Sequence, residues 1–166
     1  FADVIISDTA TLGESINKIP LLSLVLPNGS SNIIPAIPSI ASNDTISINA
    51  SEYFETMNLY QGTLKLDIKN EYPTDISNIS LTLINATNQN IIATFLFPLI
   101  PTGTTVSDSV SIAGQILDEN LFAILDNMDV NASNGAVLID YSDAIITTIT
   151  ISDIGITEAT AIFPEQ

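Results

Sequence analysis

The 166-residue chain has no cysteine, histidine, arginine or tryptophan, and its basic residues are Lys18, Lys65 and Lys69. Without imidazole or thiol there is no Cys–His or Ser–His nucleophile system and no thiolate redox chemistry. None of the usual zinc, copper or haem ligand sets can be assembled either. What remains is carboxylate chemistry and hard cations. Without guanidinium groups the chain cannot build the cationic groove that a phosphate backbone requires, so nucleic acid is excluded as a partner. With 19 acidic residues against 3 basic and a formal charge of -16, an anionic membrane surface is repelled, and direct binding to one is not expected. The longest apolar run, Ile91 to Ile100, is half a membrane helix and carries Pro98, so no transmembrane span is read. The start Phe1-Ala2-Asp3 lacks both Met and a basic segment leading into an apolar one, and the expectation is a processed chain or an excised fragment.

What is present is apolar residues at 46% and charged residues at only 13%. That is enough for a real core in one domain or two small ones, with Ser, Thr and Asn supplying most of the polar surface. An acidic, lysine-poor composition of this kind reads as extracytoplasmic: secreted, periplasmic or at the cell surface.

Isoleucine is the commonest residue, and Ile, Val and Thr alternate with polar residues at period two, the signature of half-buried strands. Residues 1–58 are the least regular part. Short apolar runs (Val4 to Ile6, Leu21 to Leu26, Ile46 and Ile48) are punctuated by Pro20, Pro27, Asn28-Gly29, Pro35 and Pro38, which break pairing. From Tyr60 the pattern sharpens. Leu64, Leu66 and Ile68 alternate with Lys65, Asp67 and Lys69 and end at Asn70-Glu71-Tyr72-Pro73; Ile79, Leu81 and Leu83 follow. After the polar turn Asn85 to Asn90, Ile91 to Phe97 is apolar on both faces and reads as the central partner of a hairpin. Val106, Val110 and Ile112 mark a further strand after Pro101-Thr102-Gly103. Between Ala113 and Met128, Ile116, Leu117, Leu121, Ile124 and Leu125 fall on one helical stripe, which predicts a helix packed on the sheet. Ala136 to Asp140, Ile145 to Ile151 and Ile154 to Phe163 return to the strand pattern.

Asp129-Val130-Asn131-Ala132-Ser133-Asn134-Gly135, with Asp140, places Asp129, Asn131, Ser133 and Asp140 at positions one, three, five and twelve of an EF-type loop, which makes calcium the metal to test. The glycine falls one position late and the last ligand is Asp rather than Glu, so an ordinary Asn-Gly turn capped by Asp129 accounts for the same residues. Asp140 with Asp143, and Asp67 with Glu71 and Asp75, supply carboxylate pairs, but on so acidic a chain such pairs arise from solvated surface alone. Asp8-Thr9-Ala10 echoes the Asp-Thr-Gly of aspartic proteases without its glycine; a strand and turn is the simpler reading. Sugar stacking has only Tyr53, Tyr60, Tyr72 and Tyr141 to draw on. Asn28, Asn43, Asn49, Asn78, Asn85 and Asn131 each begin an Asn-X-Ser/Thr triplet, expected by chance in a chain this rich in those residues.

In residues 62–141 the order of features is informative. A strand Leu64 to Ile68 runs into Asn70-Glu71-Tyr72-Pro73, then a strand Ile79 to Leu83, a polar turn, Ile91-Ile92-Ala93, Pro101-Thr102-Gly103-Thr104-Thr105, a further strand and a Leu-rich stretch. This segment resembles the β-sandwich domains of the late-embryogenesis-abundant type 14 and water-stress/hypersensitive-response class, although those domains carry Asn-Pro where this chain sets Asn70 and Pro73 apart. The resemblance implies an antiparallel sandwich without catalytic residues and transfers no site.

The expectation is therefore a mainly β chain, an antiparallel β-sandwich of immunoglobulin-like or related type with one short helix. The sandwich proper occupies 59–166, and 1–58 is either an irregular N-terminal segment or part of the same domain. Its expected role is non-enzymatic: a structural or protein-interaction module of a cell-surface or envelope assembly, without a cofactor. Two alternatives stand beside it. One is a carrier of lipid or another small apolar ligand, with Ile91 to Ile100 and Ala113 to Met128 lining a cavity; the other is a calcium-dependent adhesion module.

Overall fold

In the computed structural model, residues 2–38, 45–52 and 54–160 are described. Tyr53, the first two residues of the Asn43 triplet and the last three residues of the expected final strand lie outside them. In chain order the elements are β1 (Val4–Thr11), α1 (Leu12–Asn17), α2 (Leu22–Val25), β2 (Ser31–Asn32), β3 (Thr45–Asn49), β4 (Thr56–Asn70), β5 (Ile76–Asn85), β6 (Ile91–Ile100), β7 (Thr105–Ser111), β8 (Ile116–Asp118), β9 (Asn120–Val130), β10 (Val137–Leu138) and β11 (Ala144–Thr160). They build an antiparallel β-sandwich. One sheet runs β1-β11-β4-β7, with β8 beside the first half of β4; the other runs β3-β9-β5-β6, and β2 pairs with β10 as a small separate ladder.

The period-two patterns dictate which faces meet. In the first sheet Leu64, Leu66 and Ile68 stand opposite Ile151, Ile149 and Thr147 of β11, and Lys65, Asp67 and Lys69 fall on the outer face, where Lys65 pairs with Asp67 at 3.0 Å. In the second, Leu81 lies between Leu125 and Phe95, and Leu83 between Ala123 and Ala93. These inner faces form one buried cluster, each large aliphatic contributing about 1.5–3 kcal/mol. A slip of one residue in any pairing would turn that set outward, so burial itself holds the register.

The sandwich ends are fastened by buried asparagines. Asn70 is fully buried; its Nδ2 donates to the carbonyls of Thr74 and Ile100 at 3.0 Å each, and its Oδ1 accepts from the Tyr72 N–H at 2.9 Å. At the other end Asn85 Nδ2 donates to Ile116 O, and its Oδ1 accepts from the Asp118 N–H. Asn85 is therefore a structural hub, buried away from solvent, rather than an accessible acceptor of a modification.

Four expectations are corrected. The stretch Ala113 to Met128 is not a helix but β8 and β9. Both periods fit its apolar residues, because β9 is apolar on both faces: Leu121 and Ala123 point inward, while Phe122 and Ile124 stand outside beside Ile84 and Thr82. Pairing on both sides, with β3 and β5, decides for the strand, and Gly114 in the left-handed region (φ 81) interrupts the helical option at its start. The helices that do form are α1 and α2, inside the segment read as irregular. Thr11-Leu12-Gly13-Glu14 closes a capping box: the Glu14 N–H donates to Thr11 Oγ1, and the Thr11 N–H to Glu14 Oε2.

Third, β6 is an edge strand, not a central one; Leu96 and Leu99 are exposed while Phe95 and Phe97 are buried. Fourth, the two last expected strands are one, β11, bent at a bulge around Asp153 (φ 54) and Gly155. Tyr60 lies over that glycine so closely that a Cβ there would sit 2.6 Å from its Cζ. The first 58 residues contribute to both layers, since β1 pairs with β11 along all of Val4–Thr11 and β3 pairs with β9.

Candidate functional site: a cleft on the open flank

The residues singled out from sequence do not converge. The four candidate calcium ligands are each engaged elsewhere: Asp129 Oδ2 accepts from Asn78 Nδ2 at 2.7 Å and Asn131 Oδ1 from Ser77 Oγ at 2.7 Å. Ser133 Oγ accepts from the Ile34 N–H and donates to Gly135 O, and Asp140 Oδ1 takes both the N–H and the hydroxyl of Ser142. The element entering the loop is strand β9 rather than the helix an EF-type site needs. Among the described residues no group of three acidic side chains could hold a metal ion, and the residues present do not fit a calcium loop.

The carboxylates are held by partners of their own. Asp67 is partnered by Lys65 and Ser107; burial alone would raise its pKa, but those contacts hold it below the usual value. Glu71 pairs with Lys69 at 2.7 Å, and Asp75 Oδ1 accepts from the Thr102 N–H. Asp143 is pushed up by burial and by the charges of Asp140 and Glu71, whereas its neighbour Asp140, held by Ser142, is pulled down.

What the fold does create is a cleft of about 480 Å³ between the two sheets, on the flank where β1 and β3 are the outer strands. Its origin can be traced along β1. The inward positions are Val4, Ile6, Asp8 and Ala10, opposite Ile151, Ile149, Thr147 and Ile145. Val4 and Ile6 pack on the core, but Asp8 is polar and Ala10 small, so the layer is left unfilled at that end. Its lining is apolar at Ile46, Ile68, Ile79, Leu81, Leu125 and Met128 and polar at Asp8, Glu14, Lys18 and Thr147 among others. The volume lies within the roughly 300–1,000 Å³ of small-ligand sites, and an apolar floor with a few polar groups at the mouth is their usual chemistry.

Tyr72 braces this corner from beneath. Its ring is fully buried, its hydroxyl lies 2.8 Å from Ser15 Oγ, and it also donates to Ala10 O at 3.4 Å. Burial pushes its pKa up to about 12, with the Glu14 charge adding to the rise and the Ser15 contact opposing it. The carrier alternative placed a cavity on Ile91 to Ile100; β6 contributes nothing to this cleft, although Leu125 and Met128 of the other named stretch do. Nothing local marks the site. The one signal was the break in the β1 pattern at Asp8 and Ala10, which acquires meaning only beside β11.

The class defined by this fold is the antiparallel β-sandwich. The chain matches no family model and no curated protein. Among solved structures it is similar to a carbohydrate-binding module from Cellvibrio mixtus lichenase 5A in complex with cellotriose, at 13% identity and a TM-score of 0.36, covering 76% of this chain and 88% of that one. It is also similar to a protein from Bacillus endospore appendages, described as a novel family of disulfide-linked pili: 14% identity, TM-score 0.29, 75% and 89% covered. A third is from Desmodium yellow mottle tymovirus, at 11% identity and TM-score 0.32, with 82% and 91% covered. At these identities and scores the likenesses transfer no ligand, partner or residue to this chain. Among the described residues no helix is long and apolar enough to cross a membrane.

Proposed function

We propose that the protein is a non-catalytic β-sandwich module of an exported assembly, and that it works by binding on the open flank between β1 and β3. The observation that carries this reading is the cleft: a space of about 480 Å³ lined by Ile46, Ile68, Ile79, Leu81, Leu125 and Met128 together with a smaller set of polar groups that includes Asp8, Glu14, Lys18 and Thr147. The partners that Asp67, Glu71 and Asp75 already have, Lys65, Lys69 and the Thr102 N–H, support recognition rather than turnover, since general acid–base work needs groups that converge on one reacting atom. The extracytoplasmic setting rests on composition, an acidic surface rich in Ser, Thr and Asn.

Decanol, a neutral amphiphile, is a suitable probe. Titrated into methyl-labelled protein, it is expected to shift the resonances of Ile46, Leu81, Leu125 and Met128 together, and Ala10→Leu, which fills the cleft from β1, is expected to abolish the shifts. Shifts scattered over the surface, or insensitive to Ala10→Leu in a folded variant, would remove the cleft as the working site. The same cleft keeps the carrier reading in view: extraction of the purified protein followed by mass spectrometry, yielding a stoichiometric acyl species, would decide for the carrier.

A further inference from the structure

On the outer face of the first sheet one aromatic side chain is left open. Tyr60 is 61% exposed, and among the described residues it is the exposed aromatic. Its position is set by a double irregularity. Gly155 of β11 pairs with Gln61 and the next residue, Ile156, with Leu59, so Tyr60 is the extra residue of β4; opposite Gly62, Asp153 and Ile154 intervene before Ser152 meets Thr63. Asp153 is held in the left-handed region (φ 54), which non-glycine residues adopt sparingly and which gathers at working sites. A Cβ on Gly155 would lie 2.6 Å from Tyr60 Cζ, 2.8 Å from Cε2 and 2.9 Å from the hydroxyl oxygen. Such a point stands above the ring plane, since beside the ring edge it would fall nearer to the two outer atoms than to Cζ. The ring is therefore laid face down on Gly155, and its other face is turned to solvent. Bulges re-aim side chains, and a strand glycine marks a close approach; here the two together fix a flat aromatic plate.

We infer that Tyr60 is a stacking platform for a sugar: one pyranose ring of a neutral glycan lies with its axial C–H face on the open side of the phenol ring. This is a second site, on the outside of the sandwich, and it goes beyond the cleft proposed above. A pyranose has an apolar face and a rim of hydroxyls, so it calls for an aromatic face bordered by groups that donate and accept. The border supplies them. Asn58, two residues along β4, donates from Nδ2 to Glu158 Oε2 at 3.3 Å, and Gln61 is exposed on the other side. The exposed Ile116, opposite Asn58, extends the apolar surface. The charged groups here, Asp153 and Glu158, are acidic. Lys65 and Lys69, further along the outer face of β4, are paired with Asp67 and Glu71, and Lys18 lies at the cleft. An anionic sugar is thus disfavoured. A quaternary ammonium is the other common guest of aromatic rings, but its usual site is a cage, and among the described residues no second exposed ring accompanies Tyr60.

The probes are laminarihexaose and maltohexaose, titrated into protein labelled on its tyrosine rings. The Tyr60 resonances, assigned by their loss in Tyr60→Ala, are expected to move saturably with at least one of them, while those of the buried Tyr72 stay in place. Tyr60→Ala is expected to weaken binding about tenfold or more, and Tyr60→Phe by less than about threefold, because stacking uses the ring and not the hydroxyl. Gly155→Ala keeps the tyrosine but drives a Cβ into its ring, and is expected to weaken binding by about tenfold as well. If that variant does not fold, Tyr60→Ala, whose side chain stands outside the core, carries the test alone. Tyr60 unmoved by both glycans, or affinity unchanged in Tyr60→Ala, would overturn the platform. Choline chloride moving Tyr60 where the glycans do not would overturn it too, and would assign the ring to a cation. Decanol is expected to leave Tyr60 unmoved, so the cleft and the platform stand or fall separately.

Discussion

The two flanks of the sandwich are built from the same Ile- and Thr-rich strands and end differently. On the β6–β7 flank the sheets are joined by the turn Pro101-Thr102-Gly103-Thr104, and Asn70 ties that turn down: its N–H donates to Thr104 O and its carbonyl accepts from the Gly103 N–H, while its side chain holds Thr74, Ile100 and Tyr72. Thr102 adds its N–H to Asp75 and its hydroxyl to the Tyr72 carbonyl. On the β1–β3 flank no direct turn joins the outer strands, and Asp8 and Ala10 leave space that Val4 and Ile6 do not. A covalent link and one saturated buried amide close a flank; two undersized inward positions leave the other open.

Breaking the closed flank is expected to cost most. Asn70→Ala strands two carbonyls and an N–H in the interior, a loss of about 3–4 kcal/mol at roughly 1–3 kcal/mol for each unsatisfied group, partly relieved by water, and it is read as a lower urea midpoint at unchanged slope.

Tyr72 spans the two flanks, from the Asn70 turn to Ser15 and Ala10. Burial raises its pKa to about 12, above the ordinary tyrosine value of 10.0, so the native state keeps a proton that the unfolded chain releases. The associated stability is intact below pH 10 and is lost as pH rises from about 10 to 12. The loss is on the order of 2–3 kcal/mol. Denaturation curves across that window should show it in the native chain, and Tyr72→Phe should remove most of that pH dependence.

Filling the open flank should act in the opposite sense. Ala10→Leu is expected to raise stability by about 1 kcal/mol as the added methyl groups leave water, seen as a higher melting midpoint alongside the loss of decanol binding. Asp108→Thr, which removes the charge that β7 sets opposite the buried Leu66, is expected to change stability by less than about 0.5 kcal/mol. It should nevertheless produce more concentration-dependent association in sedimentation than the native chain shows. Chelator is expected to leave the melting midpoint where it is, because a structural calcium ion held at a hundred times its dissociation constant would contribute about 2.7 kcal/mol.

How much of this was legible in the chain depended on how local the cause was. The alternation of Leu64, Leu66 and Ile68 with Lys65, Asp67 and Lys69, and the stop at Asn70-Glu71-Tyr72-Pro73, predicted β4 and its turn, because side-chain period and turn chemistry are properties of neighbours. The capping box at Thr11 and Glu14 was equally local and lay in plain view. β9 was misread because a strand apolar on both faces carries the i, i+3, i+4 spacings of a helix, and only the ladders to β3 and β5 break the tie. The candidate calcium residues looked like a loop by spacing, yet Asp129 and Asn131 are taken by β5, Ser133 by the Ile34 N–H and Asp140 by Ser142 in its own turn.

By itself, then, the amino-acid order determined that this protein is a strand-rich sandwich with polar residues supplied largely by Ser, Thr and Asn, a strongly negative field and no imidazole or thiol chemistry, since each of these follows from residue type and short-range period. Tertiary structure alone decided that Asp8 and Ala10 face a gap beside an apolar cleft and that Asn70 closes one flank. Those are consequences of which strands pair across long stretches of chain, and pairing is settled by the burial of whole faces rather than by any residue's neighbours.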